Sequence, residues 1–332
     1  MTTVDTDYRM LRTTVGVYER TDALLELTGL ERAELLARVL ARDTQYVEPL
    51  TVSDSLVLTE EGLPQDIVGH LELDESTWLL AGDPRLADVL RAEAVAAGIA
   101  DVTVTDRTGA YEAVAFEGPL AWRIAARLTD FEVSSLVLGG VCEVQAPTGS
   151  APALLARTGT TGEYGYVLLA PAGLGIRAWA EEAAAELDGG PVGAAALERA
   201  RLEVRHPWVS ACDAGLSARE AGVQWLMTAG REEPFRGGEA LAALPAPRRG
   251  TVLLASDGPL AEGANVFAGG EKVGTVLFTT AAPQGEQQLS MGLLDQPFAV
   301  PGLELTAGSG DAVRTVSSPA VVPVSWSRRI GE

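Results

Sequence analysis

Apolar and polar positions along this 332-residue chain change period several times, and each change marks an element. Residues 13 to 28 alternate, with Leu25 and Leu27 on one side, as a half-buried strand does. Leu35, Leu36, Val39 and Leu40 then recur at helical spacing and predict a helix from Leu30 to about Arg42. The extended runs Val52 to Leu58 and Ile67 to Leu73 bracket a turn at Glu61 to Pro64, and Trp78-Leu79-Leu80 follows as a third strand. Asp83-Pro84 opens a helix that reaches about Gly98, since proline is tolerated in a first turn. The order repeats with strands at Val102 to Val104 and Ala113 to Phe116, a helix from Pro119 to Leu128, and a strand at Val137 to Val144.

Two apolar runs, Leu154-Leu155-Ala156 and Tyr166 to Ala170, flank Arg157-Thr158-Gly159-Thr160-Thr161-Gly162-Glu163-Tyr164-Gly165. That reads as a hairpin whose glycines permit positive φ and the close approach of another backbone. A helix follows from Leu174 to Leu187. Two or three strands per helix imply layered α+β units with antiparallel sheets. Beyond the linker Pro245-Ala246-Pro247-Arg248-Arg249-Gly250 only brief strands remain, at Thr251 to Leu254, Val273 to Phe278, Leu289 to Leu294 and Val321 to Val324. Their Gly/Pro punctuation predicts a small β-barrel or sandwich as a separate C-terminal domain.

Composition narrows the function. A hydrophobic share of 47% is that of a globular protein, and a net charge of −21 repels nucleic acid and anionic membrane surfaces. No apolar run has the length of a membrane span, and the polar stretch Met1 to Asp7 argues against an export signal, so the expected setting is cytoplasmic. Cys142 and Cys212 read as free, buried thiols, and no Cys/His cluster has metal-ligand spacing. The expected partner is a small molecule, and the oligomeric state stays open.

Several motifs fall in one family's order. The turn at 157–168 resembles the R-T-G-Y-T-G-E-D-G-Y-E-I signature of the glycine-cleavage T-protein (aminomethyltransferase) family. Gly29-Leu30-Glu31-Arg32 resembles its G-x-D-R, Glu61 to Val68 its G-G-I-x-D-D-L-I-V, and Gly118-Pro119-Leu120-Ala121 its G-P-x-A. Arg201-Leu202-Glu203 is similar to L-R-L-E-A-G, Phe235 to Leu241 to F-x-G-x-E-A-L, and Lys272 to Val276 to x-x-G-x-V-T-S. The resemblance extends to the sister group of folate-binding iron–sulphur maintenance (YgfZ-like) proteins. Their K-G-C-Y-x-G-Q-E is absent, although Cys212 falls near its place.

The resemblance implies an α+β, three-lobed fold: two interleaved α/β lobes with antiparallel sheets, a C-terminal β-barrel-like domain and a central folate channel. The expected segments are 1–51 with 110–141 and 206–244, then 52–109 with 142–205, then 245–332. Asp66 stands at the second aspartate of the D-D pair, whose carboxylate orients the one-carbon donor, while Gln65 replaces the first. His70, four residues on along the presumed strand, shares its face and pairs a base with that acid. Val167 replaces the glutamate that grips the pterin, Leu197 an arginine and Thr160 a tyrosine, which points to a changed ligand. Glu163 and Tyr166 in the same turn, with His206 in a channel-lining loop, complete the expected binding set.

The implied activity is a folate-dependent one-carbon transferase moving a methyl, methylene or aminomethyl group between tetrahydrofolate and a small specialised metabolite, without a metal. A second expectation is a repurposed pocket in which Asp66 and His70 act as acid and base for a cyclisation or elimination. A third is a non-catalytic folate-binding protein.

Overall fold

The computed structural model describes residues 3–20, 23–207 and 214–331; Cys212 lies outside them. The polar stretch near the start lies in a helix, α1 (Thr3–Thr13), which buries Tyr8, Leu11 and Arg12 and leaves Asp5 and Asp7 half-buried. The single strand expected over 13–28 is two: β1 (Gly16–Glu19) and β2 (Ala23–Thr28), and they enter different sheets.

The first sheet combines β1 with β7 (Tyr111–Glu117), β8 (Val141–Gln145), β9 (Pro152–Ala156), β10 (Gly165–Pro171) and β11 (Gly190–Pro191), in the order β11-β1-β7-β10-β9-β8. The second has the order β3-β4-β5-β2-β6, with β3 (Thr51–Leu58), β4 (Pro64–Glu72), β5 (Ser76–Ala81) and β6 (Thr103–Asp106). Every pairing within both sheets is antiparallel except β1 with β11. The segments therefore sort differently from the expected 1–51/110–141 and 52–109/142–205 grouping. β2 is hydrogen-bonded on both sides, to β5 and β6, which commits 23–28 to the second sheet, and hairpin pairing carries β8, β9 and β10 into the first.

Each sheet is covered on its outer side by helices. α4 (Ala121–Ala125) and α5 (Ile176–Ala185) seal the first over Phe116, Leu155, Tyr166 and Leu168. α2 (Arg32–Val39) and α3 (Leu86–Ala97) seal the second over Leu25, Leu27, Val57, Val68 and Leu79. The inner faces meet through Val52, Leu71, Trp78, Leu80, Ala115, Val167 and Leu169, with α1 and α6 (Ala194–Val204) closing the gap from Leu11 and Leu197. Each such fully buried aliphatic side chain contributes about 1.5–3 kcal/mol.

The C-terminal domain is a closed barrel, β12-β15-β14-β13-β16-β17: β12 (Arg249–Ser256), β13 (Asn265–Ala268), β14 (Glu271–Thr279), β15 (Gln288–Asp295), β16 (Glu304–Ala307) and β17 (Asp311–Val316). Closure leaves no unpaired edge. Leu202 of α6 packs on its outer wall with Leu253, Leu289 and Met291. Val321 to Val324 is not the strand expected there. The N–H groups of Val324 and Ser325 instead bond the Glu163 carboxylate, at 3.1 and 2.9 Å.

That contact belongs to a buried clasp joining both ends of the described chain. Glu203 accepts from Tyr8 Oη (2.8 Å), Arg12 Nη2 (2.7 Å) and Arg199 Nε (2.7 Å). Arg12 Nη1 also donates to the Thr161 carbonyl (2.8 Å) and to Glu163 (3.3 Å). One nitrogen of the group, Arg199 Nη1, has no partner among the described residues.

Candidate functional site

The β9–β10 hairpin is the framework. Val167 faces Ala156 across it, and Gly159 and Gly165 sit back to back: a Cβ on Gly165 would lie 2.6 Å from the Gly159 Cα. Of the three glycines expected to relieve the turn, only Gly162 has positive φ, +79°. The other two serve the close backbone approach.

This tight crossing aims the backbone at Glu117, the last residue of β7. Glu117 accepts from Thr160 N (2.9 Å), Thr160 Oγ1 (3.0 Å), Thr161 N (2.8 Å), Thr161 Oγ1 (2.6 Å) and Tyr18 Oη. Burial pushes its carboxyl up, but these donors and Arg201 outweigh burial and hold it below the ordinary range. Burial and Glu117 push the Tyr18 hydroxyl up to about 12, so Tyr18 stays a donor. Arg201, one turn beyond Leu197 on α6, donates from Nε to Thr160 Oγ1 (3.0 Å) and lies over the Tyr18 ring, 5.6 Å from its centroid.

His206 ends this run. Its backbone N–H bonds the Arg201 carbonyl at 2.9 Å, and its buried Nδ1 has no partner among the described residues. Burial lowers its pKa to about 4; Arg20 and Arg201 push the same way, and Asp54 and Glu117 oppose. The ring is therefore neutral at pH 7, able to donate at one nitrogen and accept at the other. Asp54 is on the inner face of β3: its Oδ1 is 3.8 Å from where a Cβ of Gly69 would stand. Tyr18, Val167 and Leu197 share one apolar cluster, so the polar group adjoins a hydrocarbon wall.

The other expected residues lie elsewhere. Glu163 is committed to Arg12, Val324 and Ser325 in the clasp. Tyr166 faces outward into the helix-covered core, stacked on Phe116 at 5.8 Å, with its buried hydroxyl unpartnered and raised to about 12 by burial. Asp66 and His70 do share a face of β4, but it is the outer one, with Val57 and Val68 under α2 and α3. Asp66 accepts from the backbone N–H of Ile67 (2.8 Å), Gly82 (3.1 Å) and Asp83 (3.0 Å), fixing the turn before α3. Burial raises its carboxyl despite those donors. His70 Nε2 lies 3.2 Å from Glu72 Oε2, in a group completed by Thr77 and Arg32. The acid and base thus share a strand face but stand four residues apart, with Val68 between them and separate hydrogen-bond partners, away from the inner face.

The centre gathers residues that the sequence reading did not place there: Tyr18, Arg20, Asp54, Glu117 and Arg201. A signal existed at Glu117, a carboxylate in the apolar strand Ala113-Val114-Ala115-Phe116-Glu117, where only a buried, bonded acid fits. Among the described residues no group of His, Cys, Asp or Glu could hold a metal, and no helix is long and apolar enough to cross a membrane. Cys142 is half-buried, its thiol pushed up to about 11 by burial.

Comparison with known proteins agrees with this architecture. The GCVT N-terminal domain matches residues 1–230. An aminomethyltransferase from Streptomyces coelicolor is 28% identical over 335 aligned positions, covering 96% of this chain and 88% of its own. One from Streptomyces avermitilis is 31% identical over 281 positions, covering 81% of this chain and 74% of its own. The glycine cleavage system aminomethyltransferase T of Bartonella henselae superposes with a TM-score of 0.81 at 22% identity, over 96% of this chain and 90% of that one. The chain is a member of the aminomethyltransferase family defined by the GCVT N-terminal domain.

Proposed function

We propose that this chain is a one-carbon transferase acting on a small specialised metabolite at the polar centre between the two sheets. The observation that carries this reading is the buried group Tyr18–Glu117–Thr160–Arg201, with His206 beside it, on the inner faces of a fold whose relatives are aminomethyltransferases. Ionised side chains are costly to bury, and here they adjoin an apolar wall.

Tetrahydrofolate is the carrier that the sequence resemblance implies, and the residues present do not fit its pterin in the family's manner. A pterin's amino and ring N–H groups need a carboxylate acceptor, but Val167 and Leu197 are buried together in hydrocarbon. Each unmet donor costs about 1–3 kcal/mol. No step is therefore routed through the carrier. The same observation favours a second reading, a repurposed pocket that does without folate, in which neutral His206 rather than Asp66 or His70 serves as the base.

Calorimetric titration of the protein with reduced tetrahydrofolate separates the two. Micromolar binding supports the transferase, with the carrier held by contacts other than positions 167 and 197. Absence of heat at millimolar ligand overturns it in favour of the repurposed pocket.

A further inference from the structure

Outside the inter-sheet centre, Arg205 is set apart by its backbone. It ends α6 at φ +54°, in the left-handed region where a side chain is strained. The L-R-L-E-A-G motif that Arg201-Leu202-Glu203 resembles has glycine at this place, the residue that takes such a φ without cost. The arginine is nevertheless firmly held: Nη2 donates to the Thr251 carbonyl (2.8 Å) and to Thr251 Oγ1 (2.6 Å), near the start of β12. Gly222 makes room for it, since a Cβ there would lie 2.7 Å from Nη2. Burial lowers the Arg205 pKa, and among the described residues no acid pairs with it and Nε and Nη1 meet no acceptor. The side chain lines a cleft of about 560 Å³ between the end of α6, residues 219–225 and the barrel. Arg219 lines it too, exposed and without an acid beside it among the described residues. Glu220 is the one acid in the described lining, and its oxygens are already bonded: Oε1 to Arg249 Nε and Nη2 (3.1 and 2.9 Å), Oε2 to Ser217 N and Oγ (both 3.0 Å). Trp225, 56% exposed, supplies the aromatic part of the wall. In a chain of net charge −21, two such arginines in one cleft reverse the sign locally.

We propose that this cleft binds a small phosphomonoester, with its phosphate between Arg205 and Arg219 and its organic body against the Trp225 indole. A guanidinium matches a phosphate in a planar, two-bonded arrangement that an ammonium cannot reproduce. A phosphomonoester carries about −1.5 to −2 charges at neutral pH, so it balances both arginines where a carboxylate would balance one. The cleft has the size of a small-molecule site, roughly 300–1,000 Å³. The indole face gives a flat or apolar body a surface that free phosphate cannot use. This occupant also accounts for a strained arginine where glycine would end the helix at lower cost, since glycine offers no guanidinium. The assignment concerns a second site and depends neither on tetrahydrofolate nor on the reading of the inter-sheet centre.

The test is calorimetry at fixed ionic strength with phenyl phosphate as the probe, compared with inorganic phosphate and with benzoate. Phenyl phosphate is expected to bind tenfold or more tightly than either. Arg205→Gly, which suits the left-handed φ, should weaken it at least tenfold. Arg219→Gln, on the exposed rim, should do the same and keeps the test open should the loss of the Thr251 bonds unfold the first variant. Trp225→Ala should bring phenyl phosphate down to the affinity of inorganic phosphate. Arg177→Gln, on α5 and paired there with Glu181, should change nothing. No binding of either phosphate at millimolar concentration, benzoate binding as tightly as phenyl phosphate, or unchanged affinity in both arginine variants overturns the proposal. Inorganic phosphate binding as tightly as phenyl phosphate, or an advantage of phenyl phosphate that survives Trp225→Ala, overturns the seating of an ester on the indole.

Discussion

Two buried polar groups sit two residues apart on α6 and have opposite character. Around Glu203 nearly every hydrogen-bonding atom is used: Tyr8, Arg12 and Arg199 converge on one carboxylate, and Arg12 reaches on to Glu163. Around Arg201 the bonding is incomplete: among the described residues neither Arg20 nor Arg201 pairs with an acid, and the His206 Nδ1 is unmet. A closed network fixes the relative position of the elements it joins. An open one keeps interaction energy in reserve for something that arrives.

The contrast breaks most severely at its closed end. Glu203→Ala strands two buried guanidinium groups and should cost about 3–5 kcal/mol, measured by denaturant unfolding. A loss under about 1 kcal/mol would mean that the clasp is solvated. Next comes acid sensitivity at the open end. His206 has a folded pKa of about 4, below its ordinary value of 6.5, so the unfolded chain gains its proton first. Stability from this group is complete above pH 6.5 and lost as pH falls toward 4, a span on the order of 2–3 kcal/mol. Arg20 and Arg201 add to this lowering, Asp54 and Glu117 oppose it, and Glu117, itself held low, adds a slope of its own. The diagnostic is therefore the difference curve against His206→Gln, which should flatten between those pH values. Asp66→Asn should cost about 1–2 kcal/mol by weakening the turn at Gly82 and Asp83, and leave ligand affinity untouched. A selective loss of binding would return Asp66 to the site. The smallest stability effect is expected at Arg201→Gln, about 1 kcal/mol or less, with affinity lost outright. A large destabilisation would make Arg201 part of the architecture.

The same contrast explains what the sequence made legible. The β9–β10 hairpin follows from its flanking apolar runs, and the barrel was foreseen from short strands punctuated by Gly and Pro. The grouping of strands was not, because β2 and β5 pair through contacts about fifty residues apart that leave no local mark. Period two placed Asp66 and His70 on one side of β4 but could not say which, since Ile67 and Leu71 make the opposite side as apolar as Val68 makes theirs. Val167 and Leu197, read from the sequence as changed positions, lie in one buried apolar cluster. Arg201 was visible only as a register marker, because its side-chain partners Tyr18 and Thr160 come from separate elements.

The clasp also bears on the order of assembly. Glu163 meets Arg12 from the beginning of the chain and Val324 and Ser325 from near its end, closing loops of about 150 and 160 residues on one carboxylate. Long loops close late. During synthesis both sheets can form while Glu163 still lacks its last donors, and the emergence of residues 320–325 from the ribosome completes the set. Pulse-labelled hydrogen exchange on the refolding chain should find the Ser325 amide among the last to gain protection, and early protection there would reverse this order. The barrel's trailing segment is then the latch that closes over the Glu163 turn after both sheets are in place.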